Sequence, residues 1–92
     1  MKTRNKKSSI NIKVEVLRDF ELYIKILSHY NTGKEQGDDV VEILSEYQLD
    51  ENDWKQVVAC WKIKTFNDPH LGLEMISLLE KYNQYFSSAY SN

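Results

Sequence analysis

The feature that most constrains the fold is a segment that carries both tryptophans on one helical face, between strong start and stop signals. Residues 49–70 read LDENDWKQVVACWKIKTFNDPH. Large side chains recur there at steps of three and four residues, the repeat of a buried helix face. The face comprises Trp54, Val57, Val58, Trp61 and Thr65. Asp50 and Asp53 suit the free N–H groups of a first turn, and Asp68-Pro69 suits the start of another helix. The segment predicts a central helix with both tryptophans in the core.

The same repeat predicts three further helices. The first begins near Val16, the second covers about residues 38–47 with Asp38 or Asp39 as its cap, and the last follows Pro69. Residues 31–39, NTGKEQGDD, contain two glycines and no apolar side chain, which predicts a long loop. The chain is therefore expected to be all-α, a small bundle of four helices.

The predicted core is the set of residues at which these apolar faces meet. It comprises Phe20, Ile24, Leu27, Leu44, Trp54, Val58, Trp61, Leu78, Leu79 and Tyr82. Ninety-two residues suffice for one such core, but not for a large enclosed active-site cavity beside it.

The amino-terminal segment differs in composition from the rest. Residues 1–9 are polar and basic with nothing to bury, so they are expected to be a disordered tail, and residues 10–92 a single helical domain. Apolar residues alternate from Ile10 to Val16, which is a strand period. Residues 10–15 are therefore predicted to be either a short extended arm or a lead-in to the first helix.

Charge is unevenly distributed along the chain. Residues 1–13 carry five bases and no acid, whereas residues 14–92 carry seven bases and all fourteen acids, a net charge of −7. The acidic body disfavours a phosphate-binding surface and suits a basic protein partner. No apolar run resembles a signal peptide or approaches the roughly 20 residues of a membrane span. A single cysteine allows no intramolecular disulfide, so a cytoplasmic location is expected.

No residue pattern predicts an enzyme, a metal site or a cofactor. Cys60 lies inside a predicted helix without an adjacent histidine, so a packed thiol is expected rather than a nucleophile. His29 and His70 are expected to face solvent or to cap helices, because with Cys60 they form no metal-binding spacing. Gly33 and Gly37 do not form a phosphate-binding loop.

Two groups of residues are candidates for contact with a protein partner. The acidic start of the third predicted helix supplies Asp50, Glu51 and Asp53. The end of the chain supplies Tyr85 and Tyr90, because tyrosine combines a large apolar area with a polar tip. The alternative for the tyrosines is that they are half-buried rings at the rim of the core. No oligomeric state is predicted.

DNA binding is the alternative function, because the second and third predicted helices are spaced like a helix-turn-helix. That motif directs the first residues of its second helix at bases and phosphates. Here those residues are Asp50, Glu51, Asn52 and Asp53, whose carboxylates repel phosphate. Only the basic tail favours a polyanion, so nucleic acid is not the expected partner.

One further pattern is the order of apolar and aromatic residues, with six residues between the tryptophans and six between Trp61 and Asp68. The order is Leu44, Leu49-Asp50, Trp54, Trp61, Asp68-Pro69 and Tyr82. It resembles that of short helical bacterial proteins associated with contact-dependent or type VI secretion systems. The resemblance covers about residues 16–86 and implies an accessory protein of such a system. Together with the missing catalytic pattern, the surplus of tyrosines and the acidic body, it predicts a non-catalytic protein–protein interaction module that acts as an accessory, adaptor or immunity protein. Residues 10–16 and 31–39 depart from the pattern, so a shared binding mode is not implied.

Overall fold

The computed structural model describes residues 12–91, and the side chains of residues 12–89. This part of the chain contains five helices and no strand. They are α1, residues 12–18; α2, Phe20–Glu35; α3, Val40–Glu46; α4, Glu51–Asn67; and α5, Pro69–Ser91. The all-α class is confirmed, whereas the count of four helices is wrong because α1 is a separate helix. The basic tail predicted for residues 1–9 lies outside the described residues.

Helix α1 occupies the place of the extended arm predicted for residues 10–15, whose first two residues lie outside the described part. Ile12 and Val16 are four residues apart and both pack into the core, as a helical repeat requires. Val14, which a strand period would also bury, is 40% exposed. The extended arm is therefore wrong for its described residues.

Helix α2 is longer than predicted because it continues through the first five residues of the predicted loop. Thr32 and Gly33 are buried there, so tertiary packing offsets their low helix propensity. The helix ends in a Schellman motif, in which Gly37 adopts a φ of 90° and the Asp38 N–H donates to the Gly33 carbonyl at 2.8 Å. Helix α3 therefore begins after only four residues.

Aspartates cap the amino termini of the four later helices. Each carboxylate accepts a backbone N–H that has no partner inside its helix. The caps are Asp19 for α2, Asp39 for α3, Asp50 for α4 and Asp68 for α5. The caps predicted for α4 and α5 are confirmed, and Asp39 is the one used of the two proposed for α3.

The turn between α3 and α4 repeats the Schellman geometry without a glycine. Gln48 adopts a φ of 61°, and the Leu49 N–H donates to the Leu44 carbonyl at 3.0 Å. Both leucines are buried, which is the hydrophobic contact typical of this motif. The turn sets the entry of α4 into the core.

The core forms around α2. The sequence had predicted α4 as the central helix, and that prediction is wrong. Helix α2 buries six residues, whereas α4 buries three. Towards α4, the ring of Tyr23 lies 5.8 Å from Trp54 and 5.7 Å from Trp61, between ring centroids. Towards α5, the buried Ser28 hydroxyl donates to Oδ1 of Asn83. Helix α2 is therefore covered on two sides.

The ten predicted core residues all contribute to this interior. Four are buried: Ile24, Leu44, Trp54 and Trp61. Six are partly buried and pack against the core: Phe20, Leu27, Val58, Leu78, Leu79 and Tyr82. The structure adds Val16, whose carbonyl accepts the Trp61 indole N–H at 2.9 Å, so that α1 is fastened to α4.

Candidate protein-binding surfaces

The acidic start of α4 is held in a fixed geometry by a capping box. The Asp53 N–H donates to Oδ1 of Asp50 at 2.7 Å, and the Asp50 N–H donates to Oδ2 of Asp53 at 3.5 Å. Asp50 and Glu51 are exposed, whereas Asp53 is partly buried. Because the capping carboxylates are already ordered, they lose little side-chain freedom on binding, so this turn is a preorganised negative surface.

A lysine from α1 lies against this acidic turn. The Lys13 Nζ atom is 3.3 Å from Oδ1 of Asp53 and donates to Oε1 of Gln56 at 2.6 Å. The count of charges assigns Lys13 to the basic amino-terminal segment, yet in the folded chain its ammonium group neutralises Asp53. The negative charge available to a partner is therefore carried by the two exposed acids, Asp50 and Glu51.

Tyr85 is exposed to 66%, so the alternative of a half-buried ring is wrong for this residue. Its ring meets Phe86 edge-on, with centroids 5.0 Å apart. It also borders a shallow groove that is formed with His29, Ser88 and Ala89. The ring is therefore supported on one edge while most of its surface faces solvent.

The acids and Tyr85 form two groups. Among the described side chains, no hydrogen bond, ion pair or ring contact links Tyr85 to the capping box. Tyr47 is near a member of each group. It is three residues before Asp50 in the sequence, and Tyr85 is close enough to affect its ionisation. The remaining predicted contact residue, Tyr90, has a side chain outside the described part.

His29 is partly buried, so the prediction that it faces solvent or caps a helix is wrong. Its ring stacks on Phe86 with centroids 4.4 Å apart and planes inclined by 13°. Its Nδ1 atom lies 2.6 Å from the Tyr47 hydroxyl. The contact with two aromatic neighbours from later helices explains the burial. His70 is exposed, as expected.

Cys60 is exposed, so the prediction of a packed thiol is also wrong. The buried residues of α4 are Trp54, Val57 and Trp61, and Cys60 is displaced from Trp61 by about 100° around the helix. That displacement is sufficient to take it off the core face. Within residues 12–91, no three His, Cys, Asp or Glu side chains are grouped so that they could hold a metal ion.

A polar cluster on another part of the surface joins α2 to α5. Oε2 of Glu21 accepts hydrogen bonds from the Tyr82 hydroxyl at 2.7 Å and from Lys81 Nζ at 3.1 Å. The Tyr82 bond, and then Lys81, lower the pKa of the Glu21 carboxyl. Because Glu21 and Lys81 are exposed, this is a surface ion pair and not a desolvated acid–base pair.

Sequence reasoning missed two exposed stripes, one on each side of the α4–α5 junction. The α4 stripe comprises Lys55, Ala59, Lys62 and Phe66, with Ile63 beside it. The α5 stripe comprises Pro69, Leu73, Ile76 and Glu80. All of these residues are exposed, and Phe66 reaches 88%. The signal in the sequence was that Ile63 and Phe66 fall outside the tryptophan face, so α4 is apolar on two sides.

Two further observations bear on function. Along residues 12–91, none of the helices combines the length and the apolar character that crossing a bilayer requires. The chain matches no protein-family model, no curated protein and no solved structure, so its own surfaces are the basis on which a function can be proposed.

Proposed function

We propose that this chain is a non-catalytic protein–protein interaction module, which acts in the cytoplasm as an accessory, adaptor or immunity protein of a bacterial secretion or toxin system. The observation that carries the proposal is the exposed acidic pair Asp50 and Glu51 at the start of α4, in which the capping box holds the Asp50 carboxylate in place. The pair belongs to a chain whose residues 14–92 have seven bases and fourteen acids. Such a surface suits a partner with a basic face.

The physical basis is steering followed by local docking. A negative body raises the association rate with a basic protein, and this effect weakens as salt rises. The Asp50 carboxylate, which the cap holds in place, then determines where a basic group docks, while Tyr85 supplies apolar contact area at small cost in side-chain entropy. We expect a partner with lysine or arginine side chains for Asp50 and Glu51.

The bacterial secretion or toxin role is supported by the residue pattern between Leu44 and Tyr82. Its leucines and tryptophans are core residues in this fold, so the pattern favours a shared architecture. Asp50 and Pro69 are the exposed members of the pattern. Of these two, Asp50 carries the charge that a basic partner would meet, so a role shared with those accessory proteins would use Asp50 and surfaces specific to this chain.

The partner is sought by affinity purification of the full chain from its native host. We expect a protein with a basic surface to be recovered, and its retention to fall as the salt concentration rises. Recovery of nucleic acid without any protein partner would contradict the proposal.

Replacing the acids by amides of the same shape then tests whether the charge of the acidic turn is needed for partner binding. The test variant carries Asp50→Asn, Glu51→Gln and Asp53→Asn. Asparagine caps helices about as well as aspartate, so α4 should keep its start. The control variant removes three charges near the α2–α3 connection: Glu35→Gln, Asp38→Asn and Asp39→Asn. We expect the test variant to weaken partner binding by about tenfold or more and the control by less than about threefold. Equal losses would show that net charge, and not the turn, determines binding.

Deletion of residues 1–9 separates protein binding from DNA binding. The deleted segment carries Lys2, Arg4, Lys6 and Lys7, so any weak and salt-sensitive affinity for a polyanion should disappear. Affinity for the protein partner should be nearly unchanged. If the truncated chain still bound a defined duplex and lost that binding on changes in α4, the helix-turn-helix function would replace the one proposed.

A further inference from the structure

The α4 stripe and the α5 stripe have the same spacing and begin at the same junction. Only Asp68 separates the two helices. Counted along the chain, the stripe residues follow steps of four, three and four residues in both helices. That spacing keeps each stripe on one side of its helix. The junction is therefore flanked by two exposed and regular helix faces.

Large apolar side chains of both helices are exposed near the junction. Ile63 and Phe66 in α4 are 64% and 88% exposed, and Leu73 and Ile76 in α5 are 67% and 66% exposed. Single exposed apolar residues are common, but a grouping of four large ones near a helix corner is typical of a contact surface. These faces are not covered by other parts of residues 12–91.

The far ends of the two stripes carry opposite charges. Lys55 is the first residue of the α4 stripe, and Glu80 is the last residue of the α5 stripe. Lys55 is twelve residues before Asn67, and Glu80 is eleven residues after Pro69. At a rise of about 1.5 Å per residue, both charges are about 17 Å from the junction. The two stripes therefore match in spacing, and their far ends are complementary in charge.

We propose that the occupant of these faces is a second copy of this chain, in a two-fold symmetric dimer. Both stripes face away from the core of their own chain, so they cannot pack on each other within one molecule. A two-fold axis that bisects the junction exchanges the stripes, and each α4 stripe then lies along the α5 stripe of the other copy. In that register Phe66 meets Pro69 of the second copy, and Leu73 of the second copy lies beside the aliphatic stem of Lys62. Lys55 meets Glu80 of the second copy.

The dimer surface is separate from the surface proposed for a basic partner. Asp50, Glu51 and Tyr85 are not members of either stripe. The dimer is tested with the purified chain alone, whereas partner binding is tested with the host protein. Failure of one proposal is therefore distinguishable from failure of the other.

The first measurement is the mass of the purified full chain by light scattering and sedimentation velocity at about 100 µM, above the micromolar Kd of modest interfaces. We expect a dimer. Phe66→Ser and Leu73→Ser should each give a monomer with unchanged helical circular dichroism, because both side chains are exposed within one copy. A monomeric parent chain would overturn the proposal, as would larger assemblies that grow with concentration.

The second measurement is a charge exchange across the two stripes. Lys55→Glu and Glu80→Lys should each weaken dimerisation by about tenfold, because each places like charges together twice in a symmetric dimer. The double variant should restore dimerisation, since both pairs are re-formed with exchanged signs. Glu74→Lys is the control, because Glu74 is exposed on α5 but outside its stripe. Failure of the double variant to recover, or an equal loss in the control, would overturn the pairing.

Discussion

The hydroxyl of Tyr47 and Nδ1 of His29 lie 2.6 Å apart, so the end of α3 is joined to the middle of α2 by a hydrogen bond between side chains. The two rings meet edge-on at 5.6 Å, and His29 also stacks on Phe86 of α5. Three helices therefore meet at one partly buried histidine. Phe86 also meets the ring of Tyr85 edge-on, so the exposed tyrosine rests against this cluster.

Tyr47→Phe should destabilise the fold in a pH-dependent manner. Burial first, and then Glu46 and Tyr85, raises the pKa of Tyr47 to about 12. At neutral pH the variant loses the hydrogen bond to His29, at a cost of about 1 kcal/mol. In the parent chain the hydroxyl stays neutral when folded but ionises near pH 10 when unfolded. Its contribution is therefore complete below pH 10 and lost between about pH 10 and 12.

Chemical denaturation from pH 8 to 12 measures this effect. The parent chain should lose about 1–2 kcal/mol more than the variant above pH 10, a figure that allows for the partial exposure of the ring. Burial also raises the pKa of Tyr23, but Tyr23 is present in both proteins and its effect cancels. Tyr30→Phe, at a partly buried tyrosine of α2 that packs against Trp54 and not against His29, serves as the control. Parallel pH profiles for parent and variant would contradict the prediction.

Trp61→Ala should lower the free energy of unfolding by about 3–5 kcal/mol, because it removes a ring that is only 5% exposed. Trp61→Phe keeps part of the packing but removes the indole donor to Val16, so we expect an intermediate loss of about 1–3 kcal/mol. Cys60→Ala, on the exposed side of the same helix, should change stability by less than about 0.5 kcal/mol. Thermal melting monitored by circular dichroism gives the ranking, and a solvent-facing Trp61 would leave all three variants alike.

Asp50→Ala should destabilise the chain by about 1 kcal/mol, because the N–H of Asp53 loses its acceptor. Asp50→Asn should retain most of the stability while it removes the charge. Urea denaturation of the two variants therefore separates the structural role of this side chain from its role in binding. Equal destabilisation by alanine and asparagine would show that charge, and not the cap, is the stabilising factor.

Gln48→Gly should stabilise the chain by about 0.5–1 kcal/mol, because a φ of 61° is left-handed backbone that glycine adopts without strain. Gly37→Ala provides the converse test at a φ of 90°. A Cβ atom at Gly37 would meet no atom within 4 Å, so its expected loss of about 1 kcal/mol would come from the backbone alone. If both variants moved the melting temperature in the same direction, backbone conformation would not be the cause.

The helix starts could be predicted because each depends on residues that are adjacent in the sequence. Asp50 with Asp53, and Asp68 with Pro69, satisfy local geometry whatever the rest of the chain does. The continuation of α2 through Gly33 could not be predicted from residues that are adjacent in the sequence. Its composition indicates a loop, and only burial in the folded chain compensates for a glycine inside a helix.

For the candidate surfaces, the exposure of the contact residues could be predicted from the sequence, but their long-range contacts could not. The exposure of Asp50, Glu51 and Tyr85 follows from their positions off the apolar faces. The ion pair between Asp53 and Lys13 joins residues that are distant in the sequence, so no local pattern could indicate it. The exposure of Cys60 depends on which side of α4 the neighbouring helices cover.

The way α1 is attached has a consequence for the order in which the chain assembles. A helix as short as residues 12–18 is not stable alone, because nucleation outweighs so few hydrogen bonds. Its anchors reach 43 residues to Gln56 and 45 residues to Trp61, so they exist only after α4 has docked on α2. Helix α1 would thus join last during folding and open first in the native state, and its amide protons would exchange at a lower opening free energy than those of α2.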